Sequence, residues 1–442
     1  MNKFKTAIAM ACMITVHASG QAQSDTMSMT IEQLFTLIDN NKHLQVARQG
    51  IEVAQHGVDN AKSQRLPDIG AQLALTYNGN VLMTDRDFSN AQGFSQPHFG
   101  NSLVVEAQQV VYAGGAIDAG IRLAELQKDM AANGLSATRN AQRFLTLSQY
   151  LEMMRMDNAV KVYEHNIALT ETLIGKIKDK RRQGMALAND ITRQELQLEN
   201  LKMGLRKMND ARDIANHQLA NSLGLNVNTR IQPDTTLTSP TGMVPTQGIP
   251  AESQWINTAL ASSADAKAAE LDIQIAQQQL KLAKSEMMPK VALMATDNFS
   301  GPFQYDIPPI DKNFNVWFVG VGVKYQLSSL FKSNKRIKQA QAKVTQASES
   351  QATTAESIDN KMQEAHTLFR QAEAELITKQ KSAQLARENY GVIHHRYLND
   401  LALATDMTDA ANILLSAELD ETNARIAILF AYYKMKFVAG TL

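Results

Sequence analysis

The side chains that could do chemistry gather around two near-identical stretches, GMALANDI at 184–191 and DLALATDM at 400–407, 216 positions apart. Each places an acid, Asp190 or Asp406, behind small residues and just after a long Lys/Arg/Gln/Ala/Leu-rich tract. Neither resembles a phosphate loop or a nucleophile elbow. Asp406 and Asp409 stand three apart at a helix start, so both can face one side. The first stretch has Ile191 and Arg193 after Asp190 and offers no second acid there. Other reactive groups are sparse. Of nine histidines only His394 and His395 are adjacent, with neither an HExxH pattern nor a cysteine pair beside them, so no metal or other cofactor is expected. No Ser/His/Asp set stands out, and the chain is not expected to be an enzyme. The run GLSATRNAQRFLTLSQYLEMM (134–154) carries Leu, Phe, Tyr and Met at helical spacing, which predicts core.

Charge removes one class of partner. Lys+Arg and Asp+Glu are both 44 in 442 residues, and without a clustered basic run there is no electrostatic reason to expect nucleic acid. Residues 1–22 have the form of an export leader: Lys3 and Lys5, then the apolar TAIAMACMITV, then small residues in HASGQA. Cys12, the only cysteine, lies inside it, so the chain beyond carries no thiol, and catalytic cysteine, disulfides and cysteine-type zinc drop out together. Acylation of Cys12 after AMA is the rival reading; Met13, Ile14 and Val16 continue the apolar core past the cysteine and count against it. No run of 18 apolar residues follows, so no membrane-spanning helix is expected, and an exported chain is then either soluble or a barrel.

The elements that must position the acids repeat as well. AKSQRLP (61–67) matches AKSEMMP (283–289), and upstream of each the apolar residues fall on an alanine-rich heptad stripe. These are Ala47, Ile51, Ala54, Val58 and Ala61 in one copy, and Ala269, Ile273, Ala276, Leu280 and Ala283 in the other. Pro67 and Pro289 stop the two helices at the same point. After each proline the period changes to 2, predicting hairpins from 68–79 with 101–112 and from 290–298 with 315–326. Trp317, Val319, Val321, Val323 and Tyr325 share one face. Their eight steps span about 26 Å, close to the roughly 25 Å apolar band of outer-membrane barrels with aromatics at both rims. The segments 81–100 and 300–311 are expected to be loops. Long helical tracts follow over about 115–183 and 332–399, resuming over 186–222 and 402–437, with the two acid-bearing motifs at the reversals.

The chain therefore reads as a leader (1–22), a first repeat (23–232), a Pro/Thr-rich linker (233–250) and a second repeat (251–442). The expected class is mostly α with a small β part. Four strands cannot close a membrane barrel, since small ones need about eight; a homotrimer would supply twelve and would also close the long helices into a coiled-coil tube.

In this order of elements the sequence resembles the TolC family of outer-membrane efflux proteins. The resemblance rests on the helix-Pro-strand order at Pro67 and Pro289, on VVYAGGA (110–116), and on GMALANDI and YLNDLALATDMTDA (397–410). It implies a trimeric twelve-stranded barrel in outer-membrane lipid continued by a periplasmic helical tunnel, passing substrates from an inner-membrane pump through a periplasmic adaptor. By position it implies an acidic ring at the periplasmic entrance (Asp406, Asp409) and a latch (Tyr397, Asp190). It further implies adaptor-facing tips at Gly184, Met185, Ala186, Leu187, Leu401, Ala402 and Leu403, and a membrane-facing aromatic rim at Trp317 and Tyr325. This chain has Asp400 and Ala402 where the family's best-studied pattern has a glycine and an arginine, so the arginine-based link is absent. The alternative function is a periplasmic coiled-coil adaptor or structural protein without a barrel; the paired strands and the duplication favour the duct.

Overall fold

The computed structural model describes residues 26–234, 250–302 and 310–442. The leader with Cys12, nearly all of the linker, and much of the 300–311 loop lie outside the described residues. In chain order the elements are β1 (Thr26–Met29), α1 (Ile31–Ile38), α2 (Lys42–Ser63), β2 (Asp68–Tyr77), β3 (Val81–Met83), β4 (Gln92–Phe94), β5 (Phe99–Tyr112), α3 (Ala116–Arg182), α4 (Ala188–Leu223) and β6 (Arg230–Pro233). They continue with α5 (Glu252–Ser262), α6 (Ala264–Ser285), β7 (Lys290–Gly301), β8 (Phe314–Lys324), α7 (Ser329–Leu398) and α8 (Ala404–Val438). The four long helical tracts and the four main strands fall where the sequence predicts them. Helices α2 and α6 each end four residues before a proline, because the proline ring drives the residue ahead of it out of the helical region. Every position of the two alanine stripes is buried or half-buried, while flanking positions such as Val46 and Val53 are exposed.

The residues form two compact units. Of the described residues, one comprises 26–38, 146–234 and 386–422. Its core includes the fully buried Tyr150, Met153, Met154 and Leu219, so the C-terminal part of the 134–154 stretch read as core is core, whereas Leu145 in that stretch is 50% exposed. The Tyr150 hydroxyl donates to the Met29 carbonyl at 2.7 Å and accepts from Asp234 N–H at 2.9 Å. This seats the parallel β1–β6 pair, in which Met27 faces Ile231. Sequence periodicity missed that pair, because four-residue strands carry too few alternations to register. Asp157 and Arg212 make a largely buried ion pair; burial pushes the Asp157 carboxyl up against the opposing pull of Arg212.

Of the described residues, the other unit comprises 39–145, 250–302, 310–385 and 423–442. Trp255, Ala259, Ile358, Met362 and Ala439 form one of its buried clusters, and Phe144 stacks on Phe437 with ring centroids 4.6 Å apart. It also holds the four-stranded antiparallel sheet, in the order β2-β5-β7-β8. The expected hairpins are both present, and β5 pairs with β7 to join them, with a register shift between Val110 and Tyr112. The 81–100 loop contains a small β3–β4 hairpin that the sequence reading missed.

Register sorts the sheet into two faces. Ile69, Leu73, Leu103, Val105, Leu293, Val319, Val321 and Val323 lie on one; Gln72, Ser102, Glu106, Gln108, Thr296, Asn298 and Lys324 lie on the other. On the apolar face Trp317, Val319, Val321 and Val323 are 65% to 71% exposed, far from the burial a soluble core would give them. Tyr325 lies one residue past β8 and is 39% exposed.

Candidate functional site: the paired helix turns

The α3–α4 and α7–α8 turns share their backbone geometry residue for residue. In the first, Gly184 takes the left-handed conformation (φ 78°) and Met185 N–H donates to the Lys180 carbonyl at 2.9 Å. In the second, Asp400 takes that place (φ 61°) and Leu401 N–H donates to Arg396 at 2.8 Å. Both are six-to-one helix ends that occupy carbonyls otherwise left unpaired. A glycine suits the first; an acid in the second is one of the few side-chain-bearing residues that visit this region.

The repeated acids then start the next helices. Asp190 Oδ2 accepts from Leu187 N–H at 3.1 Å, and Asp406 Oδ2 accepts from Leu403 N–H at 3.0 Å. Each closes an otherwise unpaired donor and sits at the positive end of a long helix. Asp406 and Asp409 are both exposed, and Asp409 lines a shallow groove with Arg193, Gln197 and Thr408.

Between the turns lies a small apolar core of Leu173, Ile177, Ile191, Tyr397 and Met407, with Tyr390, Ile393, Ala186 and Ala402 packed on it. Tyr397 is therefore a buried ring. Burial raises its phenol, and the charges of Asp190 and Asp400 add to the effect. Of the predicted tip residues, Ala186 and Ala402 turn inward, whereas Met185, Leu187, Leu401 and Leu403 are 53% to 71% exposed and Gly184 is exposed.

Polar links surround this core. Lys180 Nζ contacts Asp400 Oδ1 at 2.6 Å and donates to the Tyr397 carbonyl at 3.1 Å. Lys178 pairs with Glu195 at 2.9 Å. Gln194 donates to Thr408 at 2.9 Å and Gln197 to Asn412 at 2.7 Å. Farther along, buried Glu418 accepts from Arg387 at 3.1 Å and from Asn166 at 3.1 Å. His394 meets Lys176 at 3.3 Å; burial lowers its imidazole, with Lys176 and His395 adding to the shift. Sequence reasoning missed Lys180. The available signal was an acid in the second motif where the first has glycine, which calls for a cation nearby. Among the described residues no group of His, Cys, Asp and Glu could hold a metal ion.

Comparison with known proteins bears on this geometry. A family profile described as outer membrane efflux protein matches residues 255–441. No curated protein matches the chain. Solved structures match along nearly its whole length. The outer membrane protein VceC from Vibrio cholerae has a TM-score of 0.73 at 15% identity, covering 93% of this chain and 96% of its own. CusC, described through its transmembrane channel formation, has 0.77 at 11%, covering 99% and 98%. The Campylobacter jejuni CmeC outer membrane channel has 0.72 at 13%, covering 100% and 94%. The matched residues contain the Asp400–Asp406 turn and the β7–β8 hairpin, and the solved structures share their fold with this chain through its first half as well.

Proposed function

We propose that this chain is the outer-membrane exit duct of a tripartite efflux or type I secretion system, working as a homotrimer. The observation that carries the reading is the sheet. One face is apolar and exposed, and among the described residues its two edge strands, β2 and β8, have no partner on their outer sides. An open apolar edge invites further pairing, and lipid admits sheets only as closed barrels. Three copies supply twelve strands, within the range of outer-membrane barrels. The equal spacing of the two turns supports a duplicated chain in which each half contributes one hairpin and one helix pair. The helices of three copies would continue the barrel as a periplasmic tunnel.

The exposed Met185, Leu187, Leu401 and Leu403 are the surface for a periplasmic adaptor, which links the duct to an inner-membrane pump. Asp406 and Asp409 form the acidic ring at the entrance, six carboxylates in a trimer. Tyr397 and Asp190 belong to the latch, with Lys180–Asp400 supplying a cation–carboxylate link where the family's arginine is absent. Such a ring concentrates cations at the mouth. The test is single-channel recording in planar bilayers. Asp406→Asn with Asp409→Asn should weaken cation selectivity and abolish block by trivalent cations from the periplasmic side while keeping the trimer. Unchanged block would remove the ring, and a chain that fractionates as a soluble periplasmic protein would remove the duct.

A further inference from the structure

The two edge strands of the sheet carry opposite charges at matching places. Lys324 ends β8 and stands directly opposite Lys290 across the two strands, where like charges oppose pairing. Both lysines line a cavity of about 550 Å³ with Ser329, Lys332 and Arg336. Among the described residues its only acid is Glu286, which Arg336 holds at 2.8 Å. Asp68 begins β2, the other edge, and faces the uncharged Gln108. The basic residue nearest to it in sequence, Arg65, is held by Asp118 at 2.6 Å. One edge lacks an acid and the other lacks a base.

The edges also match in length, direction and face. They cover 10 and 11 residues. Neighbours in the order β2-β5-β7-β8 all run antiparallel, so β8 of one chain meets β2 of another in that same sense. Keeping the apolar side chains on one face puts Lys324 and Asp68 together on the other. With the two directly opposite, β2 pairs along its whole length, Val321 meeting the partner's Ala71 and Trp317 the partner's Leu75. A row that crosses one chain from Ala71 through Val105 and Asp297 to Trp317 then enters the next four residues on, at Leu75. Three copies advance about 12 residues over twelve strands, roughly 41 Å against 58 Å, a tilt of about 35°. That lies within the tilt closed barrels adopt. Pairing β8 with β8 would leave Lys324 near Phe314, and β2 with β2 would leave Asp68 near Thr76. Only β8 with β2 joins acid to base, and such a head-to-tail contact generates rings.

We infer that β8 takes the β2 edge of a second copy of this chain, with Lys324 paired to the partner's Asp68. The inference rests on the homotrimer reading and adds its register and its charge pair. Asp68→Cys with Lys324→Cys in the full chain, purified in detergent and boiled without reductant, should run as a covalent trimer; neither single-cysteine variant should. Within one chain the two positions lie three strand spacings apart, about 14 Å, beyond the reach of a disulfide. Lys324→Asp and Asp68→Lys should each shorten the half-life of the unboiled trimer in dodecyl sulfate about tenfold or more, since each places like charges at all three contacts. The charge-swapped double variant should recover to within about threefold. Wild-type trimers without the cysteine cross-link overturn the pairing and leave the trimer standing, as do trimers whose half-life neither reversal shortens. A wild-type chain that stays monomeric removes the homotrimer reading and the pairing together.

Discussion

Asp190 and Asp406 combine two roles that substitution can separate: accepting from the N–H three residues back, and carrying charge at the turn. Asparagine keeps an acceptor and loses the charge; alanine loses both. Asp406→Ala should cost about 1 kcal/mol, in the range of a lost helix cap, while Asp406→Asn stays within a few tenths. Urea unfolding with amide exchange at the start of α8 would read the difference. Asp400 is a comparable case, since its left-handed backbone is offset by the contact with Lys180. Asp400→Gly should be near neutral, relieving strain while losing a half-exposed pair, whereas Asp400→Ala keeps the strain and loses the pair, costing about 1–2 kcal/mol. His394 adds a pH dependence. Its folded pKa lies below the ordinary 6.5, so the unfolded chain binds more protons, and stability is lost as pH falls through 6.5 toward the depressed value. Thermal unfolding should show a smaller drop between neutral and mildly acid pH in His394→Gln than in the parent; an identical drop would place the acid sensitivity elsewhere.

Among the elements, the fit of α3 against α4 depends on Gly204. A methyl group there would lie 2.5 Å from the Tyr163 ring, so the two helices approach closely because one residue lacks a side chain. Gly204→Val must displace that ring, and overpacking of this kind should cost about 1–3 kcal/mol. The change lies well along α4 from the α3–α4 turn, so turn hydrogen bonds should survive it. Amide exchange that loosens around 163 and 204 while the Leu187 amide stays protected is the expected pattern. The sheet sets a different constraint. Val321 and Gly322 are neighbours on opposite faces of β8. If the apolar face meets lipid, Val321→Arg should cost about 2–4 kcal/mol at the bilayer midplane, while Gly322→Arg should chiefly change conductance. Equal folding penalties at the two positions would argue against a membrane barrel.

For the whole molecule, the unpaired edges of β2 and β8 and the exposed apolar face make the single chain an incomplete object. On the duct reading, twelve strands from three copies would complete it without adding any residue. The prediction is a heat-labile trimer that sediments with outer membranes and dissociates to monomer on boiling, checked by membrane fractionation and cross-linking. Each compact unit draws on both halves of the sequence. In the unit holding the turns, α3 and α4 of the first half pack with the ends of α7 and α8 from the second through the Leu173–Met407 core.

Periodicity by itself determined the four main strands and the long helices. A heptad stripe of alanine, a proline and then a period of 2 leave little freedom, because each period satisfies only one kind of backbone, and the strands and long helices fall within a few residues of expectation. The placement of Asp190 and Asp406 at helix reversals was equally legible, since small residues between two helical tracts mark a turn. Other features required the tertiary structure. The β5–β7 joint, the β1–β6 pair, the inward turn of Ala186 and Ala402, and the Lys180–Asp400 contact all depend on residues far apart in sequence meeting in space. No local pattern encodes such a meeting, because the groups' partners are chosen by packing and not by spacing. The same holds for the cavity lined by Ser329: Lys290, Lys324 and Lys332 read singly as ordinary surface lysines, and only the pairing of β7 with β8 and the packing of the start of α7 bring them to line one cavity.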